Sequence, residues 1–479
     1  MSKVNSQPLL FDDLGPRRVV ADFSGGDLSS DGGCLLVRQI DRGLGVSRHL
    51  SACFHDGRDA RYVEHELQSL VAQRVHGMVL GYPDLNDHNH LRLDPLLAVC
   101  ADKLDPLGQN RLLPQDKGKA LASPSTLNRL ELGNNRSTRC HKISHDQDKI
   151  DQTLLLMGTR CVPKHAREIV VDLDAMGHLL HGTQEGRFFN AYYDDYCYLP
   201  LYIFVGNVPM LARLRTSDKD GADGAVEALK QVIGALRKRC PKARIIVRGD
   251  SGFCRPELMD WCEDEDVYYC LGLARNPRLE QALCPAMVGA RMQHCLTGAA
   301  SVRVFTEFQY KTLETWRQER RVIGKAEITH EGENPRFVVT NLSAQGFCKA
   351  DAKAERFAPC NLYEQLYCAR GQMENVLKQQ VLDLHADRMS THHMASNQLR
   401  LSLSALAYLI MERLRTLTLQ GTELATATAG TIRLRLFKVA AMVQVSVRRV
   451  YVRLASSYPM QSLFRQCLNR LKSCAWEAG

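Results

Sequence analysis

Glu168-Ile-Val-Val-Asp-Leu-Asp174 and Ala243-Arg-Ile-Ile-Val-Arg248-Gly249-Asp250 are the two stretches whose reading decides the fold. Each is a short run rich in isoleucine and valine that closes on an aspartate, the pattern of a buried strand ending in a turn. Outward from them, Tyr198-Leu-Pro-Leu-Tyr-Ile-Phe-Val205 and Val267-Tyr-Tyr-Cys-Leu-Gly272 read as further strands. Residues 221–238 and 256–263 carry helical periodicity. This strand–strand–helix–strand–helix–strand order predicts an α/β domain with a mixed sheet.

The chemistry-bearing residues gather at the strand ends. Asp172 and Asp174 lie two apart, so both side chains leave the strand on one face. Asp250 stands at the carboxyl end of the second strand, where ligand sites of open α/β sheets collect. A third element is expected as one helix from Tyr363 to about Leu384. In it Tyr367, Arg370, Glu374 and Lys378 fall at i, i+3, i+7 and i+11, one stripe down one face. Gly371 costs that helix about 1 kcal/mol relative to alanine, and a close-approaching backbone is the reason proposed for it. A strand-ending aspartate also serves as a turn cap, and a stripe of Arg, Glu and Lys also describes an exposed ladder. Joined together, Asp174, Asp250 and Glu374 make a carboxylate triad that repels itself unless cations neutralise it. Two Mg²⁺ ions about 3.5–4 Å apart would do so, with Mn²⁺ as the alternative, and Asp172 stands in reserve for Asp174. Arg370 and Lys378 are then placed to hold phosphate.

Around this core the chain is expected to divide into three. Residues 1–160 read as a mostly helical domain, with turns and short strands over the glycine- and serine-rich first 50 residues and a helix over 61–80. His88 and His90 read as polar loop residues. Residues 161–390 form the catalytic domain, with a β-rich insertion at about 280–345. Residues 391–479 form a basic C-terminal region: a helix from Asn397 to about Leu417, then 431–437 and 443–454 as a basic-faced β-hairpin.

Charge supports a polyanionic partner. From Arg413 onward there are eleven Lys/Arg and two acids, which accounts for the whole formal charge of +9. Arg433, Arg435, Arg448, Arg449 and Arg453 are therefore the expected contacts to the DNA backbone. Seventeen cysteines with no C-x-x-C argue against a zinc ribbon or a disulfide framework. No charged-then-apolar leader opens the chain and no apolar run reaches a bilayer span, so a cytoplasmic location and no membrane partner are expected.

Taken in order, Asp-Leu-Asp174, His181-Gly-x-Gln184-Glu-Gly, Tyr193-Asp-x-Tyr196-Cys-Tyr198-Leu-Pro-Leu, Arg248-Gly-Asp250-Ser-Gly-Phe253 and Tyr367-x-x-Arg370-Gly-x-x-Glu374-Asn375 resemble insertion-sequence DDE transposases. The similarity is to the insertion-sequence thirteen-eighty family and extends to Asp87-His88-Asn89, Leu91-Arg92-x-Asp94-Pro95-Leu96 and Ser446-Val-Arg-Arg449. It implies a ribonuclease H-like catalytic domain in which Asp174, Asp250 and Glu374 are catalytic and Tyr367 and Arg370 support the DNA. It also implies binding of the DNA ends by residues 1–160, cleavage at terminal inverted repeats, attack of the freed 3′-hydroxyl on target DNA, and a homodimer on double-stranded DNA. Trp316 matches the place where related transposases keep an aromatic for a flipped base. Met176, Val376 and Val381 depart from the family pattern. A metal-dependent nuclease without strand transfer, and a DNA-binding remnant without activity, are the alternatives.

Overall fold

The computed structural model describes residues 8–133, 141–345, 347 and 354–476. They form two compact units, one joining the residues up to Asp146 with those from Arg413 onward, the other running from Gln147 to Glu412. Among the described residues no helix is long and apolar enough to cross a membrane.

The larger unit opens with α1 (Gln147–Cys161) and β1 (Glu168–Ala175). Then β2 (His178–Leu179), β3 (Phe188–Asn190) and β4 (Asp195–Tyr198) make a small sheet in the order β2-β4-β3. β5 (Leu201–Val205), β6 (Val208–Arg213), α2 (Ala225–Arg239), β7 (Arg244–Gly249), α3 (Pro256–Asp264) and β8 (Tyr268–Leu273) follow. Next come α4 (Pro277–Thr297), β9 (Ser301–Tyr310), β10 (Arg320–Thr329), β11 (Gly332–Glu333) and β12 (Arg336–Thr340). After a distorted helical stretch, α5 (Gly371–Leu384) and α6 (Met394–Leu414) close the run. Among the described residues the main sheet has nine strands, ordered β6-β5-β1-β7-β8-β12-β10-β9, with β11 on β10. β1, β7 and β8 pair in parallel and the other pairs are antiparallel, so the mixed α/β sheet expected from sequence is observed.

Alternation along the central strands sends side chains to two different cores. Ile169, Val171, Leu173, Ile245 and Val247 join the larger cluster on one face. Val170 and Ile246 face the other cluster, with Cys270, Phe357, Leu362 and Tyr363. Asp172, Asp174, Arg248 and Asp250 continue this even-numbered set. Strand parity therefore delivers the aspartates to the face on which the segment before α5 packs.

Several elements differ from expectation. The stretch read as a β-rich insertion begins with the 21-residue helix α4, and its strands extend the main sheet rather than forming a separate body. The helix expected over 363–384 is not continuous. It runs as a π-turn (Leu362–Tyr367) and a 3₁₀ turn (Cys368–Arg370) before α5, which changes the phase of the stripe. Nor does a backbone approach Gly371, where a Cβ would meet nothing within 4 Å.

In the smaller unit a hairpin (Leu9–Leu14, Arg17–Ala21) precedes helices Cys34–Leu44 and Val46–Ser51, which replace the turns expected there. The helix Leu67–Leu80 stops at Gly81, whose φ of +94° suits glycine. His88 is fully buried on a short helix, its Nδ1 3.0 Å from Gln73 Nε2, and is not a loop residue. The basic C-terminal stretch folds into this unit: Ala441–Val445 pairs with Val450–Leu454 on one side and Leu28–Ser29 on the other. Residues 431–437, read as a strand, are helical (Ala429–Ile432, then a π-turn over Arg433–Phe437). Thr428 caps the turn by accepting from Thr431 N at 3.2 Å. Ile432, Leu436 and Phe437 are buried while Leu434 is 70% exposed, which is a helical period and not an alternation of two.

Candidate active site

The site is built from three backbone elements. β1 and β7 are in parallel register with Arg248 opposite Asp172, so Asp174 and Asp250 leave neighbouring strand ends together. Asp250 sits at a turn it caps itself, accepting from Gly252 N at 2.8 Å. The helical segment supplies Tyr367, Arg370 and Glu374.

Arg370 joins the carboxylates. Its Nη1 donates to Asp174 Oδ2 at 3.4 Å and its Nη2 to Glu374 Oε1 at 2.9 Å. Asp174 and Arg370 are largely buried, while the Glu374 side chain is 49% exposed. Burial raises the Asp174 carboxyl to about 6; Arg370 opposes that rise, and the negative charges of Asp250 and Glu374 add to it. Burial works against the Arg370 charge, yet Asp174, Tyr367, Glu374 and Asp250 hold its pKa above the usual value. Asp250 and Glu374 thus lie near enough for their charges to act on Asp174, and Arg370 bridges Asp174 and Glu374.

Asp172 is paired with a different arginine. Its two oxygens accept from Arg248 Nε and Nη2, each at 2.7 Å, and both side chains are buried. Arg248 Nη1 donates to Leu366 O at 2.6 Å, so the pair braces the sheet against the helical segment.

Tyr367 points at the second aspartate's turn. A Cβ on Gly272 would lie 2.5 Å from the Tyr367 hydroxyl oxygen and 2.9 Å from Ser251 N. Gly272 is a site residue that the motif reading missed; its only signal was a glycine inside a strand, which marks close approach. Burial pushes the Tyr367 phenol up to about 12. Lys378 is exposed on the next turn of α5. Val376 is buried in the core, which explains why no basic side chain stands there.

Trp316 is not presented to solvent. It is 4% exposed, edge-on to Tyr310 at 5.5 Å and beneath Arg320 at 5.2 Å. The arginines beside it are paired with acids: Arg317 with Asp264 at 2.8 Å, Arg320 with Glu263 at 2.7 Å, and Arg321 with Glu307. In this conformation no face of Trp316 is open to a base.

The tail arginines divide into two kinds. Arg433 is half-buried, its Nε donating to Val79 O at 3.0 Å, and Arg435 pairs with Glu423 at 2.7 Å. Arg448, Arg449 and Arg453 are exposed on the Ala441–Leu454 hairpin, with Arg449 3.3 Å from the Tyr451 hydroxyl.

Among the described residues no group of three or more His, Cys, Asp and Glu side chains is arranged to hold a metal ion. The donor set nevertheless suits a hard cation, because Asp174, Asp250 and Glu374 offer carboxylate oxygens only. Burial first, and the charges of Asp250 and Glu374 after it, raise the Asp174 pKa, and the Arg370 guanidinium lies between Asp174 and Glu374.

A family model described as transposase DDE domain group 1 matches residues 11–476. No curated protein matches. Among solved structures, the cryo-EM structure of a piggyBac transposase synaptic complex with hairpin DNA is similar. It covers 85% of this chain and 79% of its own, at 9% identity and a TM-score of 0.39.

Proposed function

We propose, from the premise that the chain belongs to the transposase DDE domain group 1 family, that it cuts DNA at the terminal inverted repeats of an insertion sequence and joins the freed 3′-hydroxyl to target DNA. The observation that carries this reading is the bridging of Asp174 and Glu374 by Arg370 at a spot where Asp250 also acts. The ordered motifs favour the insertion-sequence thirteen-eighty group, and carboxylates on two adjacent parallel strands and a late helix suit a ribonuclease H-like catalytic domain.

Asp174, Asp250 and Glu374 would hold two Mg²⁺ ions, with Mn²⁺ as a substitute. When bound, such ions supply a lowered pKa for the attacking water or 3′-hydroxyl and a stabilised leaving oxygen. Arg370, released from the carboxylates, would turn its planar fork to the non-bridging oxygens of the scissile phosphate. Lys378 would reach the next phosphate along the strand. Tyr367, wedged over Gly272, fixes the start of the helical segment relative to the Asp250 turn. Arg448, Arg449 and Arg453 would add phosphate contacts. Two ends must be joined, so two copies would act together on double-stranded DNA.

Purified protein incubated with element ends and Mg²⁺ tests the reading. Cleavage and strand-transfer products are expected with the wild type, and Asp250→Ala loses both. Cleavage without strand transfer from pre-cut ends would reduce the protein to a nuclease. Cleavage that survives in Asp250→Ala would remove the site altogether.

A further inference from the structure

Just after Asp174 the chain makes the small sheet β2-β4-β3, and this sheet exposes aromatic rings. Phe189 is 54% exposed, Tyr196 41% and Tyr192 87%. Phe189 and Tyr196 are opposite each other in the β3–β4 register, so they share a face, with their rings edge-to-face at 5.8 Å. The Arg187 guanidinium lies over the Tyr196 ring at 4.6 Å. At the turn, Tyr192 and Tyr193 meet edge-to-face at 4.9 Å.

The turn is held in shape. Asn190 accepts from Tyr192 N at 3.0 Å and donates to Ser217 O at 3.1 Å, while Tyr193 N donates to Asn190 O at 3.1 Å. It is also tied to the carboxylates. A Cβ on Gly177 would lie 2.6 Å from the Tyr193 ring, so only glycine lets that ring settle three residues after Asp174. Rings this large are seldom left in water without a use.

Resting on the transposase reading above, we propose that Phe189, Tyr192 and Tyr196 form a stacking platform for unpaired bases of the DNA strand whose phosphate lies at Asp174. Three features select this occupant. The platform is joined to Asp174 through Tyr193 and Gly177. It offers ring faces and one guanidinium, groups on which any base stacks. Asp194 and Asp195 in the same turn repel a phosphate backbone, which leaves the rings to bases.

The test uses the full chain without divalent cations, and fluorescence anisotropy of two labelled DNAs: a blunt duplex, and the same duplex with a single-stranded thymidine arm. The wild type is expected to prefer the armed duplex. Tyr192→Leu and Phe189→Leu should each weaken binding of the armed duplex by about fivefold to a hundredfold, the range of one lost base–aromatic stack. Tyr192→Trp should keep the preference. Blunt-duplex affinity is expected to hold in all three. Equal affinity of the wild type for the two DNAs, or full retention of the preference in Tyr192→Leu, overturns the platform. That leaves the proposed function standing if Mg²⁺-dependent cleavage persists. Loss of self-association in Tyr192→Leu with the DNA preference intact also overturns it, and assigns the rings to an interface between copies. No binding of either DNA, together with no cleavage, removes the transposase reading as well as the platform.

Discussion

Asp172 and Arg248 form a buried two-point ion pair, both contacts at 2.7 Å, between the parallel strands that carry Asp174 and Asp250. The pair sits one inward-facing position back from each aspartate, and Arg248 also grips Leu366 O at 2.6 Å. It therefore fixes the spacing of both strand ends and the segment leading to Tyr367. Removing Asp172 leaves a buried guanidinium without its counter-charge. Asp172→Ala is expected to lose about 3–5 kcal/mol of stability, read from the urea midpoint at constant slope. An unchanged midpoint with abolished cleavage would instead make Asp172 a metal ligand.

Asp174 makes stability depend on pH in an unusual direction. Burial, opposed by Arg370 and increased by Asp250 and Glu374, raises its pKa from 3.8 to about 6. Between those values the folded protein keeps a proton that the unfolded chain has released. Stability from this group is fully present below the unfolded value and falls as pH rises towards the folded one. In metal-free buffer at pH 7, Asp174→Asn should be more stable than wild type by up to about 3 kcal/mol. Below pH 4 the difference should vanish. Thermal unfolding across that range in EDTA checks it, and a gap that persists at low pH would assign the effect to something other than the carboxyl charge.

Gly272→Ala tests the wedge between Tyr367 and the Asp250 turn. The new methyl would lie 2.5 Å from the Tyr367 hydroxyl oxygen and 2.9 Å from Ser251 N, and the second of these is backbone. Overpacking of this kind costs about 1–3 kcal/mol. Cleavage should fall more than stability explains, because the turn carrying Asp250 must move. Adding Tyr367→Phe to Gly272→Ala should recover part of the stability. Equal losses in the single and double variants would show that the hydroxyl is not what the methyl meets.

The exposed hairpin arginines give a salt-dependence prediction. Arg448→Gln, Arg449→Gln and Arg453→Gln should each weaken DNA binding across sequences and reduce the slope of log affinity against log salt by about one unit. Arg433→Gln should act through folding, because its side chain is half-buried and donates to Val79 O at 3.0 Å. A changed salt slope in Arg433→Gln without a lower unfolding midpoint would reverse this division.

The main sheet was legible because its central strands are buried on both faces and end in aspartate, a pattern that short-range reading captures. Parity did the rest, since 172, 174, 248 and 250 had to share a face. What escaped was set by tertiary contact. Arg248 consumes Asp172, yet nothing local distinguishes that pair from a metal ligand and a free arginine. The alternation Ile432, Leu434, Leu436 reads as a strand, but Thr428 caps a helix there and Leu434 is left in solvent. The family resemblance made Trp316 a candidate base contact; Asp260, Glu263 and Asp264, more than fifty residues earlier, pair with the arginines beside it. Tyr196 of β4 lay within a quoted motif and Phe189 of β3 between two of them, but exposure cannot be read from residue type.

Glu374→Gln separates catalysis from scaffolding most cleanly. Glu374 meets Arg370 at 2.9 Å one helical turn away, and its side chain is 49% exposed. As an ordinary surface pair it would contribute only about 0.3–0.5 kcal/mol. Glutamine keeps the size and can still accept from Arg370, so the fold should scarcely notice. Removing one member of a repelling carboxylate set should also ease Asp174, whose pKa should fall because one of the charges raising it is gone. Metal-free stability at neutral pH is therefore expected to stay level or rise slightly. Mg²⁺-dependent cleavage is expected to drop by orders of magnitude, because the hard-cation site would lose one of three charged oxygen donors. Both quantities can be read on one sample, by end cleavage and thermal unfolding. Arg370→Ala adds the converse: with the guanidinium gone, Asp174 loses its counter-charge, and its pKa should climb further. A Glu374→Gln protein that cleaves like wild type would leave Arg370 and Glu374 as a salt bridge and nothing more.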